Sequence, residues 1–205
     1  MPSEFEQIES LKQLAQDAYD ENRMACVVEL LPCYLEHFPT DSKAWFNYGD
    51  SLRVLGRAGA AAVALGKAER MCPPEHVWAV QSRLGLLFQD RGDHSTAERW
   101  HVRALESSEA QQESWVWILR GVNFAMQELF DEAESCYRSA IAVNDRDEEA
   151  YLNLGCILRA TCRYEAAAKA ATMALTLCPE YPKAKALLDS LQGAIAAREL
   201  ANKLC

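Results

Sequence analysis

Apolar and small residues recur along this chain in short paired blocks at helical spacing. Between Glu148 and Pro182, Tyr151, Leu154, Gly155 and Leu158 line one helix face. A polar break follows at Thr161, Cys162 and Arg163, and Ala167, Ala171, Ala174 and Leu175 then line a second face. The pattern predicts two helices joined by a tight turn. Gly155, Ala167 and Ala174 lack bulk on facing sides, so the two backbones can approach closely. Pro179 has no amide hydrogen to donate and biases Cys178 away from helical dihedrals, which ends the second helix. A hairpin of this size leaves one apolar face wet and must stack on copies of itself.

The copies are present in phase. Thirty-four residues before Gly155 stands Gly121, with Trp117, Phe124, Ala133, Tyr137 and Ala140 in the places of Tyr151, Leu158, Ala167, Ala171 and Ala174. A further thirty-six residues back is Gly85, with Phe88, Ala97 and Ala104, and thirty-six more lead to Gly49, with Trp45, Leu52, Ala61, Leu65, Ala68 and Pro73. In the first copy Leu11, Leu14, Ala15, Ala18, Leu31 and Pro39 keep the spacing.

These residues resemble the tetratricopeptide-repeat pattern: an aromatic at the fourth position, Leu-Gly at the seventh and eighth, Ala at the twentieth and twenty-seventh, Pro at the thirty-second. Trp45, Gly49, Ala61, Ala68 and Pro73 carry it in the second repeat; Tyr151, Leu154, Gly155, Ala167, Ala174 and Pro179 carry it in the fifth. The chain departs from the pattern at Arg120, Glu109 and Asp145, and by two extra residues in each junction around 74–77 and 110–113. The resemblance implies an all-α, right-handed α-solenoid of five helix-turn-helix repeats, at about 8–41, 42–75, 78–111, 114–147 and 148–181. A capping helix over 182–204 completes a single domain.

In chain order the expected helices are Phe5–Glu21, Met24–Phe38 with a kink at Pro32, Ser42–Leu55 capped by Ser42, and Gly59–Met71. Pro74 or Glu75 starts the next, which runs to Asp90 before the Arg91-Gly92-Asp93 turn. The segment from Ser114, SWVWILRGVNFAM, is apolar almost all round, so it is covered on every side or holds a binding surface. Asp131–Val143 follows. The last helix has Ala184, Leu187, Leu188, Leu191 and Ile195 on one face and Lys183, Lys185, Asp189 and Arg198 on the other.

The formal charge of −9 is concentrated at the start, where nine acidic residues within 1–41 face only Lys12 and Arg23. An acidic surface without a basic stripe excludes nucleic acid as the expected partner, and the acidic start reads as the polar outer face of a terminal repeat. No apolar run has membrane-spanning length and the first residues lack a secretory pattern, so the expectation is a cytoplasmic protein without membrane insertion. The eight cysteines sit at repeat positions that take small or apolar residues, with no C-x-x-C pair, and are expected to be reduced thiols.

No catalytic constellation stands out: His37, His76, His94 and His101 are scattered, and no serine elbow or phosphate-binding glycine loop is present. The expectation is therefore no enzyme, no metal and no cofactor. His101 takes the place of a packing aromatic, and so reads as a core ring. The resemblance directs function to the concave face lined by each repeat's first helix, where a protein or peptide partner would lie.

Along that face the expected contact residues are Lys12, Asn47, Arg83, Trp115, Ile118, Leu119, Val122, Leu152 and Asn153. One reading is an interaction scaffold or chaperone adaptor taking an apolar segment at the fourth and fifth repeats. A second is a partial carboxylate clamp for acidic C-terminal peptides of heat-shock chaperones, resting on Lys12, Asn47 and Arg83, with Gln16 a substitute and Ala79 a loss. A third is that neighbouring repeats or a second copy of the chain, in a homo-oligomer, cover the fourth-repeat residues.

Overall fold

A computed structural model describes the backbone over residues 4–204 and the side chains over residues 5–195. Among the described residues the secondary structure is helical, without strands. The chain divides into two compact units, residues 1–107 and 108–205.

The first unit holds α1 (Glu4–Asp20), α2 (Met24–His37), α3 (Ser42–Val54), α4 (Ala58–Met71), a single 3-10 turn (Pro74–His76), α5 (Val77–Asp90) and α6 (His94–Ala104). The second holds the short α7 (Ser108–Gln111), then α8 (Ser114–Ala125), α9 (Phe130–Val143), α10 (Glu148–Ala160), α11 (Tyr164–Leu177) and α12 (Pro182–Leu204). The two junctions that carry extra residues are thus taken up by the 3-10 turn and by α7. Helix α2 continues across Pro32.

Within each unit, consecutive helices pack as antiparallel pairs and each pair packs on the next. The first helices also touch one another, α1 on α3 on α5 and α8 on α10 on α12. Helix α12 therefore occupies the place of a first helix in a following repeat. Its Ala184, Leu187 and Leu191 are buried in the second unit's core; Arg198 lies outside the described side chains.

Close packing follows the spacing of small residues. A Cβ added at Gly49 would stand 2.8 Å from Leu65, one at Gly85 2.5 Å from His101, and one at Gly121 2.6 Å from Tyr137. His101 is fully buried, so the expected core ring is observed. Sixteen residues after Gly155, where Leu65, His101 and Tyr137 stand in the other repeats, is the small Ala171, and a Cβ added at Gly155 meets instead Leu187 of α12 at 3.0 Å, the Ala167 carbonyl at 3.4 Å and the Ala170 Cβ at 3.6 Å. The expected close crossing of Gly155 and Ala167 is present.

Each hairpin turns through one residue in the left-handed region: Asn22 (φ 59°), Gly56 (73°), Gly92 (75°), Glu128 (60°) and Cys162 (60°). All five fall at the fifteenth position of their repeats. Arg91-Gly92-Asp93 is such a turn, and the Asp93 carboxylate then caps α6 by accepting from Thr96 N at 3.1 Å. The cap of α3 is Asp41, which accepts from Ala44 N at 3.0 Å; Ser42, expected as the cap, is instead the first helical residue. A carboxylate there serves better because it meets the positive end of the helix dipole as well as the free amide.

Candidate functional site

In the first unit the inner helices are tied together by a buried polar ladder. The Asn47 amide donates to Gln16 Oε1 at 3.0 Å, joining α3 to α1. One turn further on, the Tyr19 hydroxyl donates to Asp50 Oδ2 at 2.7 Å. Asp50, only 4% exposed, also accepts from Arg53 Nε at 2.9 Å, and Arg83 Nε of α5 stands 3.5 Å from it. Arg53 reaches on to Asp90 at 2.7 Å. A buried carboxylate is tolerable because it is paired and hydrogen-bonded. Burial, with Asp50 beside it, pushes the Tyr19 hydroxyl far above its ordinary pKa, so it remains a donor.

Lys12 lies at the other end of α1, 2.8 Å from Asp41 and over the Tyr34 ring at 5.8 Å. Burial pushes Asp41 up, but Lys12, the Ala44 amide and the Tyr34 hydroxyl together hold it below its ordinary value. A carboxylate clamp built on Lys12 and Arg83 would have to draw both cations from aspartates that already hold them. Pairing of cations with carboxylates across helices 29 and 33 residues apart has no signature in local spacing.

Beside the ladder, within the first unit, lies a cavity of about 460 Å³. Phe46, Ala79, Val80 and Pro73 give it apolar walls; Asn47, Gln16 and Tyr19 supply amides and a hydroxyl, and Lys43 lies at its edge. Of the expected contact residues, Asn47 alone among those of the first unit lines it.

The remaining expected residues belong to the second unit. Ile118 and Leu152, 5% and 6% exposed, are core residues rather than open surface. Val122 is half-buried against the same core. Trp115 and Leu119 are half-buried too; the indole of Trp115 donates to Glu113 at 3.1 Å. The apolar helix α8 is therefore covered on most of its circumference, because Trp117, Ile118, Val122, Phe124 and Ala125 all pack into the core of this unit. A second cavity, of about 400 Å³, lies between α10 and α12 over Leu152, Cys156 and Leu187, with Asn153 in its wall. Leu152 and Asn153 are thus brought together. Lys183, expected on the solvent face, is exposed and also lines the rim of this cavity. Position alone did not reveal it, because α12 had no repeat partner from which to infer an inner face.

Paired helices with facing glycines and alanines, and a left-handed turn at a fixed position of each, define a helical-repeat protein. The chain belongs to the tetratricopeptide repeat family, whose pattern it matches over residues 34–76 and 120–182, just over half its length. Members of this family generally mediate protein–protein interaction. No curated protein matches the sequence.

Among solved structures, Pseudomonas aeruginosa PilF is similar over 97% of this chain and 88% of its own, with a TM-score of 0.78 and 14% identity. YrrB, described as having an unusual peptide-binding site, is similar over 84% of this chain and 87% of its own, with a TM-score of 0.61 and 19% identity. The first repeat domain of Spaghetti (RPAP3), bound to the HSP90 peptide SRMEEVD, covers 58% of this chain and 93% of its own, at 0.55 and 22%. At these identities the likeness is one of fold. No described helix is long and apolar enough to cross a membrane.

Proposed function

We propose that this protein is an interaction scaffold, of the assembly or chaperone-adaptor kind, that holds a segment of a partner protein on the inner faces of its first helices. The observation that carries the reading is the 460 Å³ cavity beside α1, α3 and α5. Its Phe46, Ala79 and Val80 walls offer apolar burial next to the Asn47, Gln16 and Tyr19 groups that can meet a peptide backbone. In the second unit Trp115, Leu119 and Val122 offer further half-buried apolar surface on α8. The proposed setting is the cytoplasm, in keeping with seven described free thiols spread over both units.

The test is affinity capture from the native cell with the wild type and with Phe46→Ala and Trp115→Ala, followed by measured affinity for the recovered partner. Aromatic anchors in such sites carry about 2 kcal/mol or more, roughly a thirtyfold loss on truncation. Unfolding free energies of the same variants separate contact from core. Loss of affinity with a modest change in stability supports the reading. Loss of several kcal/mol of stability with affinity intact marks core residues instead, and a partner indifferent to both variants sinks the proposal.

A further inference from the structure

The end of α1 carries charge that nothing in the first unit compensates. The helix has no basic residue in its last turn, and Asp17 and Asp20 stand there instead, both exposed. The C-terminal end of a helix bears partial negative charge, so carboxylates there are unfavourable, and two of them three residues apart repel each other. Neither has a cation among the described residues: Asp17 accepts from Gln13 Nε2 at 2.7 Å and Asp20 from Gln16 Nε2 at 2.8 Å, both neutral amides. Arg23, the nearest cation in sequence, is bound to Glu21 at 2.7 Å. Helix α5 also ends on an acid, Asp90, but there Arg53 meets it at 2.7 Å. Glu9, exposed as well, shares a helix stripe with Gln13, Gln16 and Asp20.

These acids border the cavity of the first unit. Gln16 and Tyr19 line it, and Gln16 links its wall to Asp20, donating to that carboxylate through Nε2 while its Oε1 accepts from Asn47. Lys43 is the only lysine or arginine in the lining. The other cations of the inner helices are held, Lys12 by Asp41, Arg53 by Asp50 and Asp90, and Arg83 beside Asp50.

Resting on the scaffold reading above, we infer that the partner segment held by the first unit is basic: a large apolar side chain enters the 460 Å³ cavity, and a Lys or Arg a few residues away reaches Asp17 and Asp20. Burial against Phe46, Val80 and Pro73 supplies one part of the affinity and charge complementarity the other. A cation at the end of α1 relieves both the opposition to the helix dipole and the repulsion between the two aspartates, which the free protein carries unrelieved. Asp20 stands one helical turn beyond Gln16, about 6 Å along α1. Positions two to four residues apart on an extended segment are separated by about 7–13 Å, which carries a long basic side chain from the cavity past Gln16 to the aspartates. An acidic segment meets the reverse, three carboxylates without a cation against Lys43.

The experiment uses the full chain and a pool of random dodecapeptides displayed as internal segments of a carrier, so that no free terminus takes part. Retained sequences are expected to carry Lys or Arg two to four positions from Leu, Ile, Met, Phe or Trp. As synthetic peptides blocked at both ends they should bind at least tenfold more weakly when those cations are changed to Glu, and at least fivefold more weakly when salt rises from about 50 mM to about 500 mM. Asp17→Asn combined with Asp20→Asn should weaken binding at least tenfold while the melting temperature holds or rises. Glu29→Gln combined with Glu36→Gln, which removes the same charge from exposed α2 surface, should bind as wild type. Retained peptides that are neutral or acidic, that ignore the aspartate variant, or that weaken equally on the α2 variant overturn the inference. A melting temperature lowered by the aspartate variant also counts against it, since those carboxylates then stabilise the free protein. Peptides lost on Phe46→Ala but indifferent to the aspartate variant leave the scaffold reading standing and sink this inference; basic peptides indifferent to Phe46→Ala sink it too, because charge alone then holds them. A pool that yields no binder overturns the inference, and the scaffold reading is then judged by its own capture experiment.

Discussion

Gly85 and His101 show how one residue's lack of a side chain places another's ring. The imidazole fills the space a Cβ would need, with Cε1 2.5 Å from that point. Gly85→Ala should therefore destabilise the protein by about 1–3 kcal/mol through overpacking, despite alanine's better helix propensity. Gly59→Ala in α4, where an added Cβ meets nothing within 4 Å, should stabilise by about 0.5–1 kcal/mol. Urea unfolding of the two variants checks both, and equal effects would show that the Gly85 contact is not tight. Asp41 offers a test by pH. Its carboxyl is held below the ordinary 3.8 by Lys12 and its hydrogen bonds, despite burial. A depressed folded pKa contributes stability that is present above the unfolded pKa and is lost as pH falls through the folded one. Asp41→Asn keeps a capping side chain but removes the charge. The stability gap between wild type and Asp41→Asn should be constant from neutral pH to about 5 and close below about 4. A gap independent of pH would remove the charge from the account.

The hairpin turns set the geometry of each helix pair. Five residues at one repeat position take φ between 59° and 75°, but only two are glycine. Left-handed backbone costs a residue with a Cβ about 1 kcal/mol, so Gly92→Ala should destabilise by about that amount while Glu128→Gly gains about 0.5 kcal/mol net of chain entropy. Thermal unfolding of the pair checks the sign of each; a neutral Gly92→Ala would mean the turn relaxes to another conformation. The tryptophans at the fourth position act on the other side of the repeat. Trp45 Nε1 donates to Pro39 O at 2.8 Å and Trp117 Nε1 to Gln111 O at 3.1 Å, each pinning a first helix to the junction before it. Most of the expected helix limits were legible in the sequence to within a residue, since breaks in the apolar period and the Asp, Gly and Pro residues that cause them are local signals; α5 starts at Val77 rather than at Pro74 or Glu75, because a 3-10 turn takes up those residues. The cap at Asp41, one residue before the Ser42 expected for it, depended on which side chain reaches the Ala44 amide.

At the scale of the molecule, the seven described cysteines are free, with Cys136 buried and Cys33 and Cys162 exposed; Cys205 lies outside the described residues. Thiol titration of the denatured protein prepared without oxidant should recover all eight, the fast fraction before denaturation including Cys33 and Cys162. A shortfall of two would indicate a disulfide. Repeat number, phase and the small-residue contacts follow from the sequence by itself. They rest on periodic spacing within some thirty-four residues, which is a local property of the chain. The sequence could also name the positions that face inward, but not their state. Only the tertiary structure decided that Ile118 and Leu152 are core, that Asp41 and Asp50 hold Lys12 and Arg83, and that Arg159 and Lys183 line one cavity without an ion pair among the described residues. The physical reason is that burial and ion pairing depend on which side chains from different helices meet, and at most inward positions the repeat pattern leaves the identity of those side chains free.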